Sequence, residues 1–273
     1  MARGSRLLLL TALLLLAGCG GLGGRDSGPS YSADLSHVPD PVPRAEPRSR
    51  YGNPASYVVN GRRYTVMHSA DGYVARGIAS WYGTKFHGRR TSSGEVYDMH
   101  AFTAAHTSLP LPTYVRVTNL NNGRSTIVRV NDRGPFHDNR IIDLSYAAAS
   151  KLGIVETGTG LVEVRAIAPG QPEPPAATVA QGATAVATPL APLHPVGLYL
   201  QVGAFISRTN AEQLRSRLGS ESLPPVQVQQ GIGTGNTPIY RVRIGPIPSV
   251  DEADRLAAHL GTLGVGTPHI VID

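Results

Sequence analysis

From Ala168 to about Pro195 the chain is built mostly of Pro, Ala, Thr and Gly, with no apolar periodicity from which a core could be made. Such a stretch is an extended spacer, and it forbids a single hydrophobic core for the 273 residues: the chain must fold as two small modules. A second low-complexity stretch covers residues 20–50. It is rich in Gly, Ser, Pro and Arg and has almost no large apolar side chain between Leu22 and Val42, so it cannot offset the entropy of ordering and reads as a tether. The sequence holds 1 cysteine, so no intrachain disulfide can support either module, and packing must do it alone.

That cysteine is Cys19, in Leu16-Ala17-Gly18-Cys19, at the end of a leucine run that follows Arg3 and Arg6. A basic start, a short apolar stretch and small residues before a cut describe a secretory signal too short to span a bilayer. The arrangement resembles a bacterial lipobox. The resemblance implies removal of residues 1–18, acylation of Cys19 and a membrane anchor by lipid. Gly20 is not the aspartate that retains many such proteins at the inner membrane, so the periplasmic face of the outer membrane is expected. The formal net charge of +6 includes the two signal arginines, and the rest are scattered; this favours an anionic polymer such as cell wall only weakly. Export leaves no role for nucleic acid.

Residues 51–72 contain Tyr57-Val58-Val59-Asn60-Gly61-Arg62-Arg63-Tyr64-Thr65-Val66, two β-rich runs around Asn-Gly, which predicts a hairpin. The tail, 196–273, contains a repeat at an offset of 42: Gln201-Val202-Gly203-Ala204-Phe205 aligns with Arg243-Ile244-Gly245-Pro246-Ile247, and Ala211, Leu214 and Leu218 with Ala253, Leu256 and Leu260. Each half reads strand, helix, strand. Thr209 with Glu212 and Ser249 with Glu252 have capping-box spacing, Gly219 and Gly261 are expected just past the helix ends, and strands at 225–228 and 268–272 close the halves. Two β-α-β units predict a ferredoxin-like sheet with helices on one side. The residues Gln201 to Phe205 and Tyr240-Arg241-Val242-Arg243-Ile244-Gly245-Pro246 resemble the two halves of the SPOR signature. The resemblance implies binding of septal peptidoglycan stripped of stem peptides. Gln201, Phe205, Tyr240, Arg241 and Arg243 are the expected sugar contacts, on the sheet face opposite the helices; sheet packing is the alternative role for each.

Between tether and spacer, residues 73–167 form short alternating strands separated by Gly-rich loops, with one helix at Tyr146–Leu152 capped by Asp143 or Ser145 and stopped by Gly153. A small all-β barrel is expected, so the fold class is mainly β followed by α+β. The order of Ser80-Trp81-Tyr82-Gly83, Thr91-Ser92-Ser93-Gly94-Glu95, Ala104-Ala105-His106 and Asn131-Asp132-Arg133-Gly134-Pro135 resembles the rare lipoprotein A family. That resemblance implies a six-stranded double-psi β-barrel and lytic transglycosylase activity on peptidoglycan, with no cofactor.

Cutting the β-1,4 bond between N-acetylmuramic acid and N-acetylglucosamine needs an acid for the leaving oxygen. In lytic transglycosylases the muramic C6 hydroxyl then attacks C1, so one carboxyl group can act as acid and then as base. The resemblance assigns that role to Asp132, with Glu95 and His106 completing the site and Glu95 as a neighbouring carboxylate able to raise the Asp132 pKa. Each has a plainer alternative: Asp132 as a turn residue, Glu95 as a solvated one, His106 as a structural histidine. Asp143 is a rival acid or a helix cap. Trp81 and Tyr82 line the glycan groove or belong to the core, and Arg133 pairs with Asp132 or with the lactyl carboxylate. No metal site is indicated by the spacing of His87, His100, His106 and His137. A non-catalytic, expansin-like glycan-binding lipoprotein is the alternative function. Septal protein partners, such as divisome components or amidases, are left open.

Overall fold

The computed structural model describes residues 27–29, 38–137, 139–169, 197–266 and 268–272. The expected signal, Cys19 and nearly all of the expected spacer lie outside the described residues.

The first elements are a hairpin, β1 (Ser56–Val59) and β2 (Arg62–Thr65), with Tyr57 opposite Tyr64. Asn60 and Gly61 take φ of 50° and 77°, the left-handed pair that a two-residue type I′ turn requires.

Six strands follow: β3 (Val74–Tyr82), β4 (Thr103–His106), β5 (Thr113–Asn119), β6 (Ser125–Asp132), β7 (Arg140–Ser145) and β8 (Thr159–Ala166). They close in the order β3-β7-β4-β6-β5-β8. The β3/β7 and β4/β6 pairs are parallel and the others antiparallel. Alternation along the strands sends Val115, Val117, Val128, Val130, Leu144, Val162 and Val164 inward, each 0% exposed, and these side chains fill so small a barrel. Helix α1 (Tyr146–Leu152) covers one side. Its cap is Ser145, whose hydroxyl accepts from the Ala148 amide at 3.2 Å, and Gly153 ends it at φ 73°.

The tether ends earlier than its composition suggests. Residues 38–50 lie against the barrel, held by Asp40 to Lys151 (2.8 Å) and to the Thr126 hydroxyl (2.5 Å), and by Glu46 to Arg129 (2.7 Å) and the Tyr114 hydroxyl (2.6 Å). Val38 packs against the barrel core, but ion pairs and hydrogen bonds supply most of the named contacts of this segment, which is why a hydrophobicity pattern misses it.

The tail comprises β9 (Leu198–Phe205), α2 (Arg208–Leu218), β10 (Val226–Ile232), β11 (Pro238–Ile247), α3 (Val250–Thr262) and β12 (His269–Ile272). The antiparallel sheet runs β10-β11-β9-β12, the ferredoxin-like order, and Leu200, Val242, Ile244, Leu218, Ala253 and Leu260 are buried between sheet and helices. Ser249 caps α3 as expected, through the Glu252 amide. In α2 the cap is Ser207, not Thr209, because the helix begins two residues earlier, at Arg208. Gly219 is not left-handed (φ −68°) and Gly261 lies inside α3. Ile78 and Leu161, on the outer wall of the barrel, are buried in the same apolar cluster as the tail core.

Candidate active site and glycan face

Four neighbouring strands bring Ser80, Asp143, Ala105 and Asp132 into one cross-strand row: Ser80 pairs with Asp143, and Ala105 pairs with Asp143 on one side and Asp132 on the other. Two strand spacings separate the carboxylate-bearing backbones, about 10 Å, and between them Ala105 offers only a methyl group. Beyond Asp132 the chain turns through Gly134, at φ 135°, a value that favours glycine. A methyl group placed there would stand 3.8 Å from Ala105 Cβ and 3.9 Å from both Asp143 Oδ2 and Phe136 Cε2, so these groups surround the turn.

Three donors converge on Asp132 Oδ1: the Ser92 amide (2.7 Å), the Ser92 hydroxyl (2.6 Å) and the Arg133 amide (2.7 Å). They fix the carboxyl plane, and Oδ2 has no partner among the described residues. Asp143 accepts from the Ser80 hydroxyl through Oδ1. Burial pushes its carboxyl above the usual range, Ser80 and nearby cations oppose this, and the charge of Asp132 adds to it. The charge that acts across Ala105 on Asp143 is therefore that of Asp132, not of Glu95. The Tyr82 hydroxyl is enclosed within reach of the fields of both.

Glu95 stands elsewhere. It accepts a bidentate pair from Arg129 Nη1 (2.9 and 2.8 Å) and a bond from Asn131 Nδ2 (2.7 Å). Arg129 and Asn131 alternate along β6 with Val130 and Asp132, so Glu95 is bound to the face turned away from Asp132. Through Asn131 it pins the Thr91–Glu95 turn, whose Ser92 holds Asp132. Arg129 also reaches Glu46 (2.7 Å), and this hydrogen bond holds the Glu46 carboxyl down at about 2.

His106 is 2% exposed. Its Nδ1 accepts from the Ser108 and Leu109 amides (3.1 and 3.0 Å), which assigns the ring proton to Nε2, 2.8 Å from the Tyr73 hydroxyl. Burial, with the nearby Arg133 charge, lowers its pKa to about 3. Both ring nitrogens are occupied within the protein, so His106 is a neutral structural residue. Arg133 does not pair with Asp132 through its side chain: the guanidinium donates to the carbonyls of Gly52 (2.8 Å), His106 (3.0 Å) and Leu109 (2.6 Å). It ties the segment before the hairpin to the β4–β5 loop. Tyr82 is core, 7% exposed and stacked on Tyr97 at 4.1 Å, while Trp81 packs edge-on to Tyr146 of α1 at 5.8 Å. The Tyr82 ring is thus closed to a sugar, while Trp81 keeps part of its surface exposed.

On the tail sheet, Gln227, Arg243, Gln201 and His269 form one row across all four strands, and Gln229 pairs with Arg241. These residues are on the face opposite the helices. Phe205 and Tyr240, paired with each other, are on the helix side. Tyr240 is there by plain alternation with Arg241 along β11; for Phe205 the cause is a bulge at Val202: Arg243 pairs with Gln201 but Val242 pairs with Gly203, and the extra residue reverses the alternation of β9 beyond it. A Cβ on Gly203 would accordingly meet the Phe205 ring (2.7 Å) and Leu214 of α2 (3.2 Å).

The barrel matches the family model described as "Lytic transglycolase" over residues 74–165, and the tail matches "SPOR domain" over 195–272. The endolytic peptidoglycan transglycosylase RlpA of Pseudomonas aeruginosa (strain UCBPP-PA14) is 43% identical over 291 aligned positions, covering 90% of this chain and 84% of the relative. This chain belongs to the RlpA family. The RlpA of Vibrio cholerae is 39% identical, with 96% and 95% covered. Among solved structures, the RlpA SPOR domain from Pseudomonas aeruginosa is 37% identical over 28% of this chain and 97% of its own, with a TM-score of 0.26.

Within this RlpA-family barrel, sequence reasoning singled out Asp132, Glu95 and Asp143 but missed the groups that organise them. Ser92 was legible as part of a Ser-Ser-Gly turn just before Glu95, a pattern that supplies hydroxyl and amide donors. Ser80, Arg129 and Glu46 carried no local signal, since their partners lie 34 to 83 residues away in the chain.

Proposed function

We propose that this chain is a lytic transglycosylase that cuts the β-1,4 bond between N-acetylmuramic acid and N-acetylglucosamine within peptidoglycan strands lacking stem peptides. The observation that carries this is the pair of carboxyl groups flanking Ala105 at one end of the barrel, one of them, Asp132, held on Oδ1 by three donors with Oδ2 unpartnered. In its protonated form the Asp132 carboxyl gives its proton to the glycosidic oxygen as the C1–O bond breaks. The resulting carboxylate then takes the proton of the muramic C6 hydroxyl as that oxygen bonds to C1. This yields a 1,6-anhydro end and regenerates the acid, and no water is consumed. Asp143, Ser92 and Gly134 shape the cleft, while Glu95, His106 and Arg133 hold its loops.

A second assignment rests on the buried position of Asp143, which favours its protonated form: Asp143 is then the acid, and Asp132 supports the oxocarbenium-like centre as a carboxylate. The open face of the tail sheet, with Gln201, Arg241 and Arg243, binds peptide-free glycan at the division septum. Acylated Cys19 holds the protein at the periplasmic face of the outer membrane.

The test is mass spectrometry of soluble products after incubating the unlipidated chain with intact or amidase-stripped sacculi, alongside Asp132→Asn and Asp143→Asn. Anhydro-ended glycans from stripped sacculi, absent with Asp132→Asn, support the first assignment. If Asp143→Asn alone abolishes release, the acid is Asp143. Sedimentation of the unmodified protein with sacculi but no released glycan identifies a binding lipoprotein without catalysis.

A further inference from the structure

The hairpin of β1 and β2 lies before residue 74, outside the stretch matched by the barrel's family model, yet it reaches the carboxylate cleft. Its cross-strand pair Tyr57 and Tyr64 stacks at 5.3 Å between centroids, with planes 19° apart. Phe136, four residues after Asp132, meets both rings edge-on, at 5.5 Å from Tyr64 and 6.3 Å from Tyr57. The Tyr57 hydroxyl anchors the pair to the Thr107 carbonyl at 2.7 Å, and the Arg133 guanidinium lies over the Tyr57 ring at 5.9 Å. Arg62 lies over Tyr64 at 5.4 Å.

This cluster is fixed on its inner side and open on its outer one. Phe136 keeps 39% of its surface exposed although two aromatic neighbours support it. The ring also borders the turn next to the carboxyl pair: Phe136 Cε2 and Asp143 Oδ2 each lie 3.9 Å from the position a Cβ would take on Gly134. An exposed aromatic surface held rigid next to carboxyl groups suits the apolar C–H face of a pyranose, and the nearby Arg62 suits its hydroxyl or carboxylate substituents.

We propose that Phe136, backed by Tyr57 and Tyr64 of the hairpin, is a sugar-binding subsite adjoining the scissile bond. The proposal rests on the reading that the cleft takes a glycan strand. The subsite positions one pyranose ring relative to Asp132 and Asp143, and it acts through binding and not through proton transfer.

The experiment uses the full unlipidated chain labelled with 4-fluorophenylalanine. The sequence has 4 phenylalanines, so the Phe136 resonance is assigned by its loss in Phe136→Tyr. Titration with peptide-free MurNAc–GlcNAc oligosaccharides is expected to shift that resonance. In parallel, Phe136→Ala is expected to raise KM for these oligosaccharides roughly threefold to tenfold, with kcat within about twofold and Phe136→Tyr restoring KM. A Phe136 resonance that stays fixed while glycan saturates the protein overturns the subsite. So does an unchanged KM in Phe136→Ala, or an equal loss in Phe136→Ala and Phe136→Tyr. If the unmodified chain releases no product but the resonance shifts, the subsite stands and the cleavage reading fails.

Discussion

The barrel cleft and the open face of the tail sheet both carry polar side chains toward the same kind of polymer, but they hold them differently. In the cleft, Asp132 takes three hydrogen bonds on one oxygen, Glu95 takes three, and Asp143 is enclosed against Ser80. On the sheet, Gln227, Arg243, Gln201 and His269 are laid out by strand register, one per strand. Proton transfer needs a group fixed within a fraction of an ångström of its partner, so it is built where distant loops can tie it down. Recognition of a repeating polymer tolerates a shallow face of planar donors, which a regular sheet supplies from its alternation.

The largest expected effect separates the two regions outright. Asp132→Asn keeps shape and hydrogen bonding, and its anhydro-product release should fall by about 10²- to 10⁴-fold while co-sedimentation with stripped sacculi is unchanged. A parallel loss of binding would show that the barrel, not the sheet, supplies most of the affinity.

The reverse case follows from the two faces of the sheet. Replacing Arg241 and Arg243 together by Ala should weaken sacculus binding roughly tenfold to hundredfold and leave cleavage of soluble oligosaccharides intact. Phe205→Ala and Tyr240→Ala, on the helix side, should lower the tail's melting temperature instead. Equal binding losses from all four positions, in thermal-shift and pull-down measurements, would mean that the two faces of the sheet are not sorted as described.

A smaller effect tests how firmly the cleft's support is built. His106 is neutral when folded, with a pKa of about 3 against the usual 6.5, so the unfolded chain binds the extra proton. Its contribution is intact above pH 6.5 and is lost as the pH falls toward 3; between pH 6.5 and 5 this amounts to about 2 kcal/mol. Urea unfolding of the barrel should follow that slope, and His106→Gln should flatten it.

The smallest effect concerns the segment clasped to the barrel. Glu46→Gln removes a carboxylate whose contribution is present above about pH 4.5 and fades as the pH falls toward 2. At neutral pH the loss should be roughly 1 kcal/mol, a drop in melting temperature of about 4–8 °C. No such change is expected from charge reversal on the exposed tail helices.

The sequence by itself determined what is local or periodic. It set two modules without disulfide support, the Asn60-Gly61 hairpin, α1 with its Gly153 stop, and the duplicated β-α-β pattern of the tail. Each follows from spacing or turn chemistry within a few residues. Tertiary structure decided the rest. Only barrel closure puts Asp143 beside Ala105 and Asp132, and sends Glu95 to the other face of β6. Only the bulge at Val202 puts Phe205 on the opposite side of the sheet from Gln201, while Tyr240 faces away from Arg241 and Arg243 by plain alternation along β11. In both modules the deciding quantity is strand register. A one-residue shift reverses which face a side chain occupies while leaving the local sequence signal unchanged.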